Sequence, residues 1–193
     1  MVFSNGEYRD LRGVRQRLLA DDLLICADGA LAKVMAMDLQ PDLLVGDFDS
    51  VSPKLLEEAD RLGIRRLTVP AEKDFTDTDL ALREATLAGC TDILLVGAFG
   101  GRLDHALGNL FLLPPYIRQG VSIALTDGET DVYLVTEQVV GVTIEGFYYP
   151  LCNRTLRWGE TIGISNLPLL DEAKITVTDG ILLVVVTDAK RTA

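Results

Sequence analysis

Apolar residues over the first 113 positions fall in two alternating patterns: short unbroken runs, and stretches in which they recur every three or four residues. The first pattern is that of strands buried on both faces, the second that of helices with one apolar face. Leu23 to Ala27 is such a run and stops at Asp28-Gly29-Ala30, and Leu43-Leu44-Val45 stops at Gly46-Asp47-Phe48-Asp49-Ser50. Arg66 to Val69 gives way to the polar stretch Pro70 to Asp79, and Asp92 to Val96 leads into Gly97-Ala98-Phe99-Gly100-Gly101. Helices are predicted between these runs over Tyr8 to Ala20, Leu31 to Met37, Lys54 to Leu62 and Leu80 to Ala88. Ser52-Pro53 supplies the N-cap and first-turn proline of the third, and Gly89 closes the fourth. A further helix starts at Leu103, where Leu103, Ala106, Leu107 and Leu110 share the spacing of one buried face, and Pro114-Pro115 is expected to break it. Strand alternating with helix means a parallel, Rossmann-like sheet with helices on both faces.

Beyond Gly120 the helical period disappears. Val121 to Leu125, Val132 to Thr136, Val139 to Ile144, Thr161 to Ile164, Ile175 to Thr178 and Ile181 to Val186 are strand-like, with hairpin turns at Asp127-Gly128 and Asp179-Gly180. The expected organisation is an α/β domain over residues 1–119 and an all-β sandwich over 120–193, with Val121 to Thr126 open to either sheet.

Charge changes this picture more than composition does. At 48% hydrophobic and 24% charged residues the chain reads as soluble and globular, but 29 acidic against 18 basic residues leave a formal charge of -11. Such a surface repels polyanions, which argues against nucleic acid or an anionic membrane as a partner. No leader is read in the first residues, and no apolar run is long enough to span a bilayer. Cys26, Cys90 and Cys152 form no C-x-x-C pair, so buried or reduced thiols and a cytoplasmic location are expected. An acidic protein that binds an anionic nucleotide must recruit a metal ion or concentrate its few cations.

The stretch Gly97 to Asn109 does the latter. Glycines let the backbone approach a ligand, the free N–H groups of a first helical turn favour phosphate, and Arg102 adds a fixed cation. Asp104 sits in the same turn, Gly108 leaves clearance one turn on, and His105, the chain's one histidine, shares a face with Asn109. A divalent cation would reconcile that carboxylate with a phosphate. Asp47 and Asp49 lie two apart on a chain leaving a strand, so both face one side while Phe48 turns into the core, forming half of a hard-cation site. Asp28, Asp47, Asp49, Asp74, Asp77 and Asp104 all follow predicted strand ends, the edge at which parallel sheets bind ligands. Turn chemistry and helix capping also favour Asp and Thr over residues 74–79, and for Asp79 they are the preferred reading.

Five motifs in order, Asp28-Gly29, Gly46-Asp47-Phe48-Asp49-Ser50, Lys73-Asp74-Phe75-Thr76-Asp77, Gly100-Gly101-Arg102-Leu103-Asp104-His105 and Gly163-Ile164-Ser165-Asn166, resemble those of the thiamine pyrophosphokinase family. The resemblance implies an α/β catalytic domain followed by a β-sandwich, in a homodimer with its site at the subunit interface. It implies transfer of the terminal pyrophosphoryl group of ATP, with Mg2+, to the hydroxyl of thiamine, giving thiamine diphosphate and AMP. Asp47, Asp49, Asp77 and Asp104 are then the catalytic and magnesium-binding carboxylates. Asp28, Lys73, Asp74, Thr76, Gly100, Gly101, Arg102 and His105 are ATP contacts, and Tyr149, Ser165 and Asn166 hold thiamine. An aromatic face under a thiazolium cation is favourable, whereas Trp158 is expected in the core. Ala30 stands where the family usually has a second glycine. The competing readings are a pterin diphosphokinase and a non-catalytic regulator that binds nucleotide or thiamine.

Overall fold

The computed structural model of the chain describes residues 1–70, 72, 74–100, 102–133, 138–157, 166–180, 182 and 184–187. It divides into two compact units, Met1–Val132 with Val185–Ala193, and Tyr133–Val184.

In chain order the first unit holds β1 (Val2–Phe3), α1 (Leu11–Arg15), β2 (Ile25–Ala27), α2 (Leu31–Ala36), β3 (Leu43–Gly46), α3 (Pro53–Arg61), β4 (Arg65–Thr68), α4 (Asp77–Leu87), β5 (Asp92–Val96), α5 (Leu103–Arg118), β6 (Ser122–Thr126) and β7 (Thr130–Tyr133). The second holds β8 (Gln138–Glu145), β9 (Leu151–Arg157) and β10 (Lys174–Thr176), after which β11 (Val184–Thr187) returns to the large sheet. That sheet has eight strands in the order β11-β7-β6-β5-β1-β2-β3-β4, and the neighbours from β6 to β4 are all parallel. Its apolar runs are buried as expected: Phe3, Leu44, Val45, Leu95 and Leu125 are fully enclosed. In the second unit β8 lies between β10 and β9, antiparallel to both, over a small core of Val142, Ile144 and Leu156. The run predicted at 161–164 lies outside the described residues.

Four expectations are corrected. The boundary expected after residue 119 runs after Val132 instead, because α5 acts as a crossover that returns β6 parallel to β5, and β7 and β11 extend the same edge. Alternating burial along β6 identifies a strand but carries no label for the sheet it joins. Pro114-Pro115 does not end α5, which continues to Arg118. Two prolines remove two backbone donors, yet Leu113 and Tyr116 on either side are buried, and the Tyr116 hydroxyl donates to Asp79 Oδ1 at 2.7 Å. The buried face of α5 is Asn109, Leu113 and Tyr116, while Leu103 and Leu107 are exposed. Finally α1 is only Leu11–Arg15, with Val14 its one buried residue, and a single anchored side chain does not sustain a longer helix.

α4 starts three residues earlier than the apolar pattern predicts. Thr76 caps it by accepting the Asp79 N–H at 3.2 Å, which moves Asp77 into the first turn. Asp79 is structural: buried, it accepts from Arg83 Nη2 at 2.5 Å and from Tyr116. Among the described residues no helix is long and apolar enough to cross a membrane, and Cys26, Cys90 and Cys152 are all free.

Candidate functional site

β1 and β5 lie side by side, but the chain leaves them toward opposite edges of the sheet, so the strand order reverses between them. A crevice opens at the carboxyl ends of strands at such a reversal. Here it is a broad cleft walled by the chain after β1, β2, β3 and β5 and by the first turns of α4 and α5. Asp28, Asp47, Asp49, Asp77, Arg102, Asp104 and His105 all line it.

Local backbone geometry gathers the carboxylates. Gly46 has φ +144°, and a Cβ there would sit 3.0 Å from Asp28 Cβ and 3.4 Å from Asp77 Oδ1, so only glycine lets these two groups meet at the end of β3. Phe48, at φ 65°, is buried in the core, which leaves Asp47 and Asp49 on the cleft side as the sequence predicts. Asp47 Oδ1 accepts the Asp49 N–H at 3.1 Å, and Ser50 Oγ donates to Asp49 Oδ1 at 2.9 Å. One carboxylate oxygen from each of Asp28, Asp47 and Asp49 falls within 4.8 Å of the other two. Asp28, implied as an ATP contact, is thus the third member of the cluster that Asp47 and Asp49 begin.

Burial pushes the Asp28 carboxyl above the usual range, and the charges of Asp77 and Asp47 push the same way, against contacts from Ser50 and the Gly29 backbone. Its Oδ1 is buried with no hydrogen-bond partner among the described residues. A folded-state value above the unfolded one favours the protonated form, so the stability Asp28 contributes is present below an unfolded value of about 3.9 and is lost as pH rises through the raised value. Asp28→Asn keeps the shape, and Asn tolerates the φ of 43° found here. The ligand-free variant is therefore expected to melt higher than the wild type at pH 8, with the difference vanishing toward pH 4, close to the ordinary Asp value of about 3.9. Thermal melts across pH check this, and a variant melting lower at pH 8 contradicts it.

The opposite wall is the glycine turn. Arg102 donates from Nε to Asp104 Oδ1 at 3.1 Å and from Nη2 to Oδ2 at 2.5 Å, and the His105 N–H adds a bond of 3.0 Å to Oδ1. The Arg102 hydrogen bonds hold the Asp104 carboxyl down at about 2. Asn109 is buried and donates to the Ala98 carbonyl at 2.6 Å, fastening the turn to its helix, while His105 stays exposed. Gly100 lines the cleft, Thr76 lines it as the α4 cap, and Asp74 is exposed off its wall. Lys73, Gly101, Ser165 and Trp158 lie outside the described residues. Ala30 is fully buried in the core beneath the Asp28 turn, so its methyl group is accommodated by packing.

Sequence reasoning missed Arg9 and Lys33, which also line the cleft. Arg9 faces Asp127 at 3.4 Å and Glu7 at 3.7 Å, and Lys33 is bonded to the chain after β1. Neither belongs to an apolar pattern or a glycine motif; the only signal was a lone lysine one turn after Asp28-Gly29.

In the second unit the structure brings Tyr149 and Asn166 together. Asn166 Oδ1 accepts the Tyr149 N–H and its Nδ2 donates to the Tyr149 carbonyl, both at 2.8 Å. The side-chain amide thereby holds the loop that presents the Tyr149 ring, which is exposed and packs edge-on against Tyr148 at 4.8 Å.

A parallel α/β sheet with clustered carboxylates and an arginine-bearing glycine turn at its switch point has the architecture in which open α/β proteins receive small ligands. The catalytic-domain model of thiamin pyrophosphokinase matches residues 14–125, and the model of that family's vitamin B1 binding domain matches residues 133–182. The chain is 30% identical over 184 residues to a thiamine pyrophosphokinase of Bacillus subtilis (strain 168), covering 84% of this chain and 86% of that protein. The crystal structure of a thiamin pyrophosphokinase from Geobacillus thermodenitrificans matches with a TM-score of 0.81 at 26% identity, over 98% of this chain and 97% of that one. A Bacillus subtilis thiamine pyrophosphokinase crystal structure shares the fold at a TM-score of 0.86 and 24% identity, over 96% and 97%. The chain belongs to the thiamin pyrophosphokinase family, whose members are transferases of the kinase type. None of these matches favours a pterin diphosphokinase or a silent regulator.

Proposed function

We propose that this chain is a magnesium-dependent ATP:thiamine pyrophosphokinase, and the observation that carries the metal and nucleotide parts of this reading is the cluster of Asp28, Asp47 and Asp49. An all-oxygen set with a buried, unpartnered Asp28 Oδ1 fits a hard divalent cation. Asp28, Asp47 and Asp49 would hold Mg2+, which when bound neutralises charge on the phosphates of ATP. The cations of the cleft give a second reason. Arg9, Lys33 and Arg102 already have protein partners, so this acidic chain offers ATP little uncommitted positive charge among its described residues.

In this reading the thiamine hydroxyl oxygen attacks the β-phosphorus, the bond from that phosphorus to the bridging oxygen of AMP breaks, and the hydroxyl proton is released. The protein's part is positioning and charge balance. Gly100 and its neighbours bring backbone to the phosphates. Arg102, released from Asp104 by a competing phosphate, orients them, and Asp77 and Asp104 complete the carboxylate wall. Tyr149 offers its exposed ring to the thiazolium, held in place by Asn166, with Ser165 beside it in sequence. We place the chain in the cytoplasm as a homodimer; the exposed row Leu103, Leu107 and Phe111 along α5 supports a second copy. Incubation with ATP, MgCl2 and thiamine is expected to yield equal amounts of AMP and thiamine diphosphate. ADP in place of AMP, or preference for a pterin alcohol, would overturn the assignment.

A further inference from the structure

Lys33 reaches from α2 to Asn5 and Gly6 in the turn after β1. Its ammonium donates to the Asn5 carbonyl at 2.8 Å, to Asn5 Oδ1 at 2.9 Å and to the Gly6 carbonyl at 2.7 Å, and it lies 5.2 Å from the centroid of the Tyr8 ring. A lysine has three N–H donors, so this turn engages them all. The turn in turn carries the glycine loop: the Gly6 N–H donates to the Gly97 carbonyl at 2.8 Å and the Glu7 N–H to the Phe99 carbonyl at 2.9 Å. The approach is so close that a Cβ on Gly6 would lie 2.3 Å from the Gly97 oxygen. On its other side Asn5 rests against the carboxylate wall, where a Cβ on Gly29 would lie 2.5 Å from Asn5 Nδ2.

From this chain of contacts we infer that Lys33 is a positioning residue for the nucleotide. It fixes the Asn5-Gly6 turn, and through it the Gly97 to Phe99 backbone that leads to Arg102 and Asp104, without touching the phosphates itself. The inference rests on the reading of the cleft as an ATP site. The sequence shows Lys33 only as a cation in a helix, and its role depends on contacts 27 and 28 positions back along the chain.

Lys33→Met keeps the aliphatic stem and removes the donors. In the ligand-free protein the Gly6 and Glu7 amides are expected to exchange with solvent about tenfold faster or more, while the amides of β2, β3 and β5 keep wild-type protection. In turnover the KM for ATP should rise about tenfold with kcat changed less than about threefold and the KM for thiamine unmoved, the pattern of lost ground-state binding. Lys33→Arg retains a cation with several donors and should recover most of the protection and the affinity. A raised KM for ATP with wild-type exchange at Gly6 and Glu7 would mean a direct phosphate contact and overturn the inference. Lost protection with an unmoved KM would reduce Lys33 to a packing role and overturn it as well. If Lys33→Met does not fold, Lys33→Gln carries the same two readouts. A wild type that makes no AMP defeats the activity reading, and the Kd for ATP of wild type and Lys33→Met then stands in for KM beside the exchange data.

Discussion

Asp49→Asn is expected to lower kcat by about a hundred- to a thousandfold, the scale on which removal of one charge-stabilising group acts at a transition state. Asp49 is exposed, its carboxylate oxygen accepts from Ser50, and an amide oxygen accepts the same bond, so the loop has no reason to rearrange. What changes is charge: one of three carboxylates whose oxygens lie within 4.8 Å of one another becomes neutral. On the proposed reading that weakens the hold on a divalent cation, and in the ligand-free protein it relieves repulsion. The melting temperature without ligand should therefore not fall, whereas the wild type is expected to melt higher with MgCl2 through linked binding and the variant to show little or none of that rise. Turnover across a magnesium titration, together with melts at each concentration, checks both halves. Wild-type kcat at saturating magnesium would remove Asp49 from the site, and a collapsed melting temperature would make it structural.

How far these residues were legible in sequence depends on what kind of information each needs. The strands of the large sheet could be read because each is short, apolar and stopped by Gly or Asp, and buried parallel strands need nothing else. The carboxylates came with them, since Asp28, Asp47 and Asp49 sit directly at those stops and Phe48 was visibly the apolar residue between two acids. Gathering three of them in one place required the strand order, which depends on contacts far apart in sequence. β1 has only two residues and no pattern of its own, yet it sits at the centre of the sheet and its following turn builds one side of the cleft.

The faces of helices were less legible than the helices. In α5 the spacing of Leu103, Ala106, Leu107 and Leu110 gave a correct helix and a wrong buried face, because the residues turned inward include Asn109, which is satisfied by the Ala98 carbonyl. A hydrophobic count cannot anticipate that a polar residue is buried for its hydrogen bond. β9 was invisible for a related reason. Its sequence, Leu151 to Arg157, is mostly polar, and Leu156 is its one buried residue among those described.

Mixing two inactive variants is expected to restore activity. Asp104→Asn removes a carboxylate that the Arg102 pair keeps charged to about pH 2, and Asn166→Ala unties the loop that presents Tyr149. The first change lies in the unit carrying the carboxylates and the second in the unit carrying the aromatic ring. If two copies pair about a two-fold axis and each site takes its carboxylates from one copy and Tyr149 from the other, a mixed dimer contains one fully wild-type site and one doubly altered site. Random pairing makes about half the dimers mixed, so co-refolded protein should regain roughly a quarter of wild-type turnover. The exposed row Leu103, Leu107 and Phe111 lies on the same helix as Asp104, which puts an exposed apolar row next to the cleft. Were each chain to build its own site, every chain in every dimer would stay crippled. Mixed dimers verified by mass that remain as inactive as their parents would exclude the shared arrangement, and a chain that stays monomeric at assay concentration would exclude it earlier.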